Sequence, residues 1–127
     1  MKSLEKLDKS KLLIEKELSI TLETLNFEPK LARLHVSLRN GTQLYIRYND
    51  YGEYSYSIIF SKMRLDRCRF DNYDDHWNIL TRPNHFHPRF VKEGFKSLMI
   101  GNPDKDIQQL CILLKSDKLL VKEFRFK

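Results

Sequence analysis

The sequence predicts an α+β fold, an antiparallel sheet of four to six strands with N- and C-terminal helices packed on one face. Three observations carry that expectation. Apolar residues recur at helical spacing at both ends of the chain. They alternate with polar residues in the consecutive segments between, and an Asn-Gly pair separates two of those segments.

From Met1 to about Leu18 the residues Leu4, Leu7, Leu12, Leu13, Ile14 and Leu18 recur mostly three and four apart, with lysines and glutamates between them. That pattern is an amphipathic helix. Ser19 to Glu28 reads either way, because Thr21, Thr24 and Phe27 favour a strand while the leucines could prolong the helix; Pro29 ends whichever forms. Leu31 to Arg39 alternates, with Leu34, Val36 and Leu38 on one face and Arg33, His35, Ser37 and Arg39 on the other. Gln43 to Asn49 repeats the pattern. A three-residue loop Asn40-Gly41-Thr42, with Gly41 left-handed, pairs Leu38 with Leu44 and sets His35 opposite Arg47. Tyr54 to Ser61 and Arg64 to Phe70 read as two more strands joined by a turn around Ser61-Lys62-Met63. One sheet face is then apolar, and the other carries Arg33, His35, Arg47, Arg67 and Arg69.

Tyr73 to Gly101 reads as irregular, with Phe90-Val91 and Ser97 to Ile100 as candidate short strands or helical turns. Asn102 caps a last helix that has Pro103 at its first position and Asp104 and Asp106 in its first turn. Ile107, Leu110, Cys111 and Leu114 form its apolar stripe, and Lys118 to Lys127 is a basic tail that continues the helix or adds an edge strand.

The 127 residues are expected to form a single domain, residues 1–127. No run of about 18 apolar residues occurs, so no membrane span is expected. The charged N-terminal segment does not read as a secretory signal, and Cys68 and Cys111 read as buried free thiols, so a cytoplasmic address is expected. The formal charge of +6 favours a polyanionic partner if the basic residues share a face.

Chemistry-bearing residues gather between Arg69 and His87, a stretch with three of the four histidines and the only tryptophan. Pro83 and Pro88 argue for a loop there, without helix or inner-strand continuation. Three readings compete. A divalent-metal site would use His85 and His87 with a third histidine and a carboxylate, but the spacing fits no standard zinc template. Metal-free acid–base chemistry on a phosphodiester would use His76, His85, His87, Arg69 and Asp71, with histidine moving a proton and arginine balancing the extra negative charge. In RNA the nucleophile is the 2′-OH, so neither a protein nucleophile nor a cofactor is required. Arg47, His35, Asn72, Trp77 and Arg82 would then hold the substrate, Trp77 by stacking on a base. In the third reading these side chains merely hydrogen-bond the backbone or plug the core.

The same stretch resembles the signature of the TumE-type toxin family of toxin–antitoxin pairs. That signature reads roughly Arg-Tyr-Asp-Asn-Ala-Pro-His-His, then Pro, three variable residues, and Thr-Phe-Pro-His-His-Lys-His. Arg69, Asp71, Asn72 and His76 match its first part; Thr81, Pro83, His85 and His87 match its second. Tyr54-Ser55-Tyr56, Asn40 to Leu44 and Asp106 to Leu114 resemble further family segments. Asp74, Asp75, Asn84 and Ser57 depart from it. The resemblance implies a fold similar to RelE-type toxins, an RNA substrate met during translation, cleavage of that RNA, and a cognate antitoxin as partner. The rival expectation is a non-catalytic module that binds nucleic acid or protein, such as a diverged, inactive toxin relative.

Overall fold

The computed structural model describes residues 2–73 and 75–127. Two helices, α1 (Ser3–Glu17) and α2 (Pro103–Lys115), lie on one face of a seven-stranded antiparallel sheet. The strands β1 (Leu22–Glu28), β2 (Arg33–Leu38), β3 (Gln43–Tyr48), β4 (Tyr54–Ile59), β5 (Arg67–Asp71), β6 (His85–His87) and β7 (Phe95–Lys96) pair in chain order. The expected α+β class holds, with more strands than the four to six expected. Among the described residues no helix is long and apolar enough to cross a membrane.

The helix α1 forms where expected, although Met1, at the start of the predicted helix, lies outside the described residues. Its buried stripe is Ser3, Leu7, Ser10 and Ile14, whereas Leu4 and Leu12 are exposed. The two serines are buried because they have partners: the Ser3 main-chain N–H donates to Asp50 Oδ1, and Ser10 Oγ meets the Tyr48 hydroxyl at 2.9 Å. The ambiguous segment after α1 is a strand, β1, followed by a 3-10 turn at Pro29–Leu31.

The first hairpin corrects the predicted register. Val36 faces Leu44 and Leu34 faces Ile46, so His35 lies opposite Tyr45 and Arg33 opposite Arg47. The Gly41 N–H donates to Leu38 O and the Leu38 N–H to Thr42 O, so the three loop residues are Arg39, Asn40 and Gly41. Gly41, at φ +92°, supplies the left-handed residue that closes a type I turn, and that position comes third in such a loop. The apolar faces stay matched because the shift preserves the alternation.

The turn after β4 runs longer than expected. It reaches Asp66, whose carboxylate is buried and takes hydrogen bonds from Ser61 and Arg89. The largest correction concerns β6, which forms within the stretch read as a loop. Its residues lie between Pro83 and Pro88, so the prolines bound the strand without interrupting it. The other short strand, β7, lies at Phe95–Lys96 and at neither of the two sites expected. The Asn102 side chain caps α2 by accepting from the Asp104 N–H, as expected. The basic tail is a 3-10 turn at Lys118–Leu120 followed by an extended strap. Phe124 and Phe126 in that strap pack against Phe86, and Phe126 also meets Phe70. Both cysteines are buried and free, and burial pushes their thiols up to about 12.

A buried polar chain ties the two layers together. It runs from Ser10 through the Tyr48 and Tyr56 hydroxyls, 3.0 Å apart, to Asp106 Oδ2 at 2.7 Å from Tyr56. Asp106, fully buried at the start of α2, also accepts from the N–H groups of Ile100 and Gly101. Burial raises its carboxyl above the ordinary value against the lowering effect of those hydrogen bonds. Asp106→Ala would strand three donors in the core and should lower the unfolding free energy by about 3 kcal/mol. The shift would be read from the urea midpoint at unchanged m. Asp106→Asn keeps an acceptor oxygen and should lose less; equal midpoints for the alanine variant and wild type would refute the role.

Candidate active site

Period-two alternation builds the site. Arg69 and Asp71 point to the face of β5 away from the helices, while Cys68 and Phe70 point to the core. In β6 the same alternation sends His85 and His87 to that face and Phe86 inward. The register pairs Arg69 with His87, Phe70 with Phe86 and Asp71 with His85. Four residues from two segments of sequence thereby become two adjacent cross-strand pairs.

Asp71 is held between two cations. His85 Nε2 contacts its Oδ1 and Arg69 Nε its Oδ2. Asp71 and His85 are almost fully buried, whereas the Arg69 side chain is 44% exposed. His85 Nδ1 donates to Pro83 O at 3.0 Å. With a carboxylate at one ring nitrogen and a carbonyl at the other, both nitrogens need a hydrogen, which is the imidazolium form. Burial works against that charge, but the Asp71 hydrogen bond and charge outweigh it and raise the His85 pKa.

His87 is arranged the opposite way. Its Nδ1 donates to Lys92 O at 3.0 Å, and its Nε2 faces the Arg69 guanidinium at 3.3 Å, so Nε2 carries the lone pair. Burial first, and then the neighbouring Arg69 charge, lower its pKa. The two rings stand 4.7 Å apart, edge to face. One histidine is tuned to keep its proton and its neighbour to stay neutral.

Ligand atoms of Asp71, His85 and His87 lie within 4.8 Å of one another, close enough to share a divalent ion. The Arg69 guanidinium, however, contacts both Asp71 and His87 and neutralises the carboxylate that would attract such an ion. The donor set is therefore satisfied by the chain's own cation.

The other predicted site residues are dispersed. His76 is exposed and its ring lies tilted against Trp77, centroids 4.3 Å apart, and among the described residues it makes no hydrogen bond to the cluster. The Trp77 ring also lies edge-on to His87 at 5.9 Å and leans on Gly94, where an added Cβ would stand 2.8 Å from the indole. Asn72 is committed to the backbone, accepting from the Tyr54 N–H and donating to Gly52 O, both at 3.0 Å. Arg82 pairs with Asp75 at 2.8 Å, while the neighbouring Asp74 lies outside the described residues. His35 stacks on Tyr45 at 4.4 Å, beside Arg33 and not Arg47. Arg47 does face the outer hollow, about 290 Å³, which it shares with Arg33, Tyr45, Arg67 and Arg69. Arg33 in that hollow is compensated by Glu28; Arg47 and Arg67 make no ion pair among the described residues. Sequence reasoning missed the carbonyls of Pro83 and Lys92, which take the Nδ1 hydrogen bonds of His85 and His87; backbone groups leave no mark in residue identity. It also missed Gly94, whose place in the loop was a usable signal.

The His85–Asp71 pair makes a testable statement about stability. Because its folded pKa is raised, His85 stabilises the protein fully below the ordinary histidine value of 6.5, and that contribution is lost as pH rises through the raised value. The melting temperature of the wild type should therefore fall with rising pH on the neutral-to-alkaline side more steeply than that of His85→Gln. Parallel profiles for the two proteins would show that the pair contributes nothing.

The family model described as Toxin TumE matches residues 6–110, which include every strand and all four members of the cluster. No curated protein and no solved structure gives a significant match. The matched span covers most of the chain, from α1 to the middle of α2. This chain belongs to the TumE toxin family, and so is a toxin of a toxin–antitoxin system with a cognate antitoxin as its partner.

Proposed function

We propose that this toxin cleaves RNA, with Arg69 and His87 in contact with the scissile phosphodiester and without a metal ion. The reading is supported chiefly by one observation: a neutral imidazole nitrogen, that of His87, faces the guanidinium of Arg69, which itself lines a cationic hollow. A phosphate arriving at Arg69 competes with His87 for the guanidinium. That releases the Nε2 lone pair to take the proton of the 2′-OH. The 2′-oxygen bonds to phosphorus and the bond from phosphorus to the 5′-oxygen breaks, leaving a 2′,3′-cyclic phosphate. The departing 5′-oxygen takes a proton from a donor on the open side of the cluster, for which the exposed His76 beside Trp77 is the candidate.

Asp71 and His85 are too buried to touch substrate. Their role in this scheme is positioning: they hold Arg69 and keep positive charge next to His87. RelE-type toxins, the relatives implied by the sequence resemblance, would share the sheet-and-helix plan. Arg47 and Arg67 are left free to meet flanking phosphates.

The test is cleavage of RNA by purified protein in EDTA, with a translation extract as a second substrate source in case the ribosome presents the RNA. His87→Ala should lose at least about a hundredfold in rate, as expected on removal of a general base. Arg69→Lys should also be impaired, since an ammonium cannot reproduce the planar fork. His85→Ala should lose both rate and stability. Tight RNA binding with no cleavage in either setting would refute the catalytic reading and leave a binding module.

A further inference from the structure

On the far side of Arg67 and Arg69 from the Arg47 hollow lies a second cavity of about 300 Å³, against the edge of His87. Leu65 and Val91 give it an apolar lining beside Cys68, and Arg67, Arg69 and Lys92 bring cations to it. Arg67 and Lys92 have no ion-pair partner among the described residues. Leu65 in the lining and Phe90, the neighbour of Val91, both lie in the left-handed region at φ 64°. That conformation is costly for side chains of this size and persists only where neighbours enforce it. Here the enforcing contact is the Phe90 N–H bond to Leu65 O at 2.8 Å, which joins the two loops that supply Leu65 and Val91 to the cavity.

We infer that this cavity receives the nucleobase adjoining the scissile phosphate and thereby sets which RNA positions are cut. The inference rests on the RNA-cleavage reading for the identity of its occupant. Its shape argument is independent: a flat apolar heterocycle suits the lining, and a phosphate carried by the same nucleotide suits the cations at the rim. An apolar peptide side chain would use the lining but leave two cations, Arg67 and Lys92, unanswered. The wall is also linked to the chemistry, because the Lys92 carbonyl that fixes the His87 tautomer belongs to the loop that carries Val91. A base that fits the cavity holds that loop, and with it His87 Nε2, in place.

Binding of single nucleotides tests this without relying on catalysis. Wild-type protein would be titrated with the four nucleoside 3′-monophosphates and with ribose 3-phosphate, which has the rim group but no base. At least one nucleotide should bind about tenfold tighter than the sugar phosphate. Val91→Trp, filling the cavity, should abolish that difference while sugar phosphate affinity stays within about twofold; Val91→Ala should reduce it. Melting curves would establish that each variant is folded, and Val91→Ala carries the test if the tryptophan variant is not. Equal affinities for all five compounds would overturn the proposal, as would a base-dependent difference that survives Val91→Trp. Loss of antitoxin binding in Val91→Trp without any nucleotide preference in wild type would reassign the cavity to the protein partner and overturn it too. A nucleotide preference in a protein that never cleaves RNA would uphold the cavity and refute the catalytic reading instead.

Discussion

Phe70 and Phe86 face each other across β5 and β6 with their rings stacked 4.7 Å apart, and the site depends on that contact. Both are fully buried or nearly so, and Phe126 closes over them from the C-terminal strap. Since side chains alternate along a strand, fixing these two inward sends Arg69, Asp71, His85 and His87 outward as neighbours. A slip of one residue in β6 would turn both histidines toward the core. Aromatic packing must hold this register, because the Asp71–His85 pair cannot do so alone: removing two charges from water costs more than their mutual attraction reliably returns. Part of this support lies outside the family-matched span, since Phe124 and Phe126 follow residue 110.

The cluster separates its members by depth, and that separation assigns their roles. The sequence presents His85 and His87 as equivalents, two residues apart in one segment. Their environments make them opposites. His85 is sealed in with a carboxylate and a carbonyl and holds a proton. His87 meets a guanidinium and a carbonyl and holds a lone pair. The difference comes from what stands across the sheet, Asp71 in one case and Arg69 in the other, so the register that places the residues also sets their protonation.

What was legible in the sequence follows the range of the interactions involved. Strands β2 to β5 were readable because each alternates for five or six residues. The helix α2 was readable because Asn102 and Pro103 act locally. The hairpin loop was misplaced by one residue, and the pairing therefore by two, because Asn-Gly was read as the first two positions of the loop, whereas Gly41 closes it as the third. Strand β6 was missed because three residues are too few to show a period and the flanking prolines argued for a loop. Its pattern, apolar Phe86 between two polar residues, mirrors Arg69-Phe70-Asp71, and comparing the two triplets was the available clue. His76, Arg82 and Asn72 were grouped with the cluster by nearness in sequence, but each found a closer partner: Trp77, Asp75 and the Gly52–Tyr54 backbone.

Charge counting explains why a neutral base can persist beside so many cations. With Asp71 ionised, Arg69 and His85 leave the cluster at +1. A further proton on His87 would add a second uncompensated charge beside the guanidinium, in a partly buried setting where like charges repel strongly. His87 is therefore the member that yields. In the reaction proposed above, a phosphodiester would bring one negative charge and cancel the cluster's excess. Attack by the 2′-oxygen would add negative charge to the phosphoryl group while His87 took the proton, so both changes would proceed together without leaving either charge unbalanced. An isolated surface histidine would need no such neighbours to be neutral, but it would have no guanidinium to surrender to the phosphate. The buried Asp71–His85 pair is what lets Arg69 sit close to His87 and still present its outer nitrogen: it anchors the guanidinium through Nε and leaves Nη2 as the contact that a phosphate could exchange in the proposed reaction.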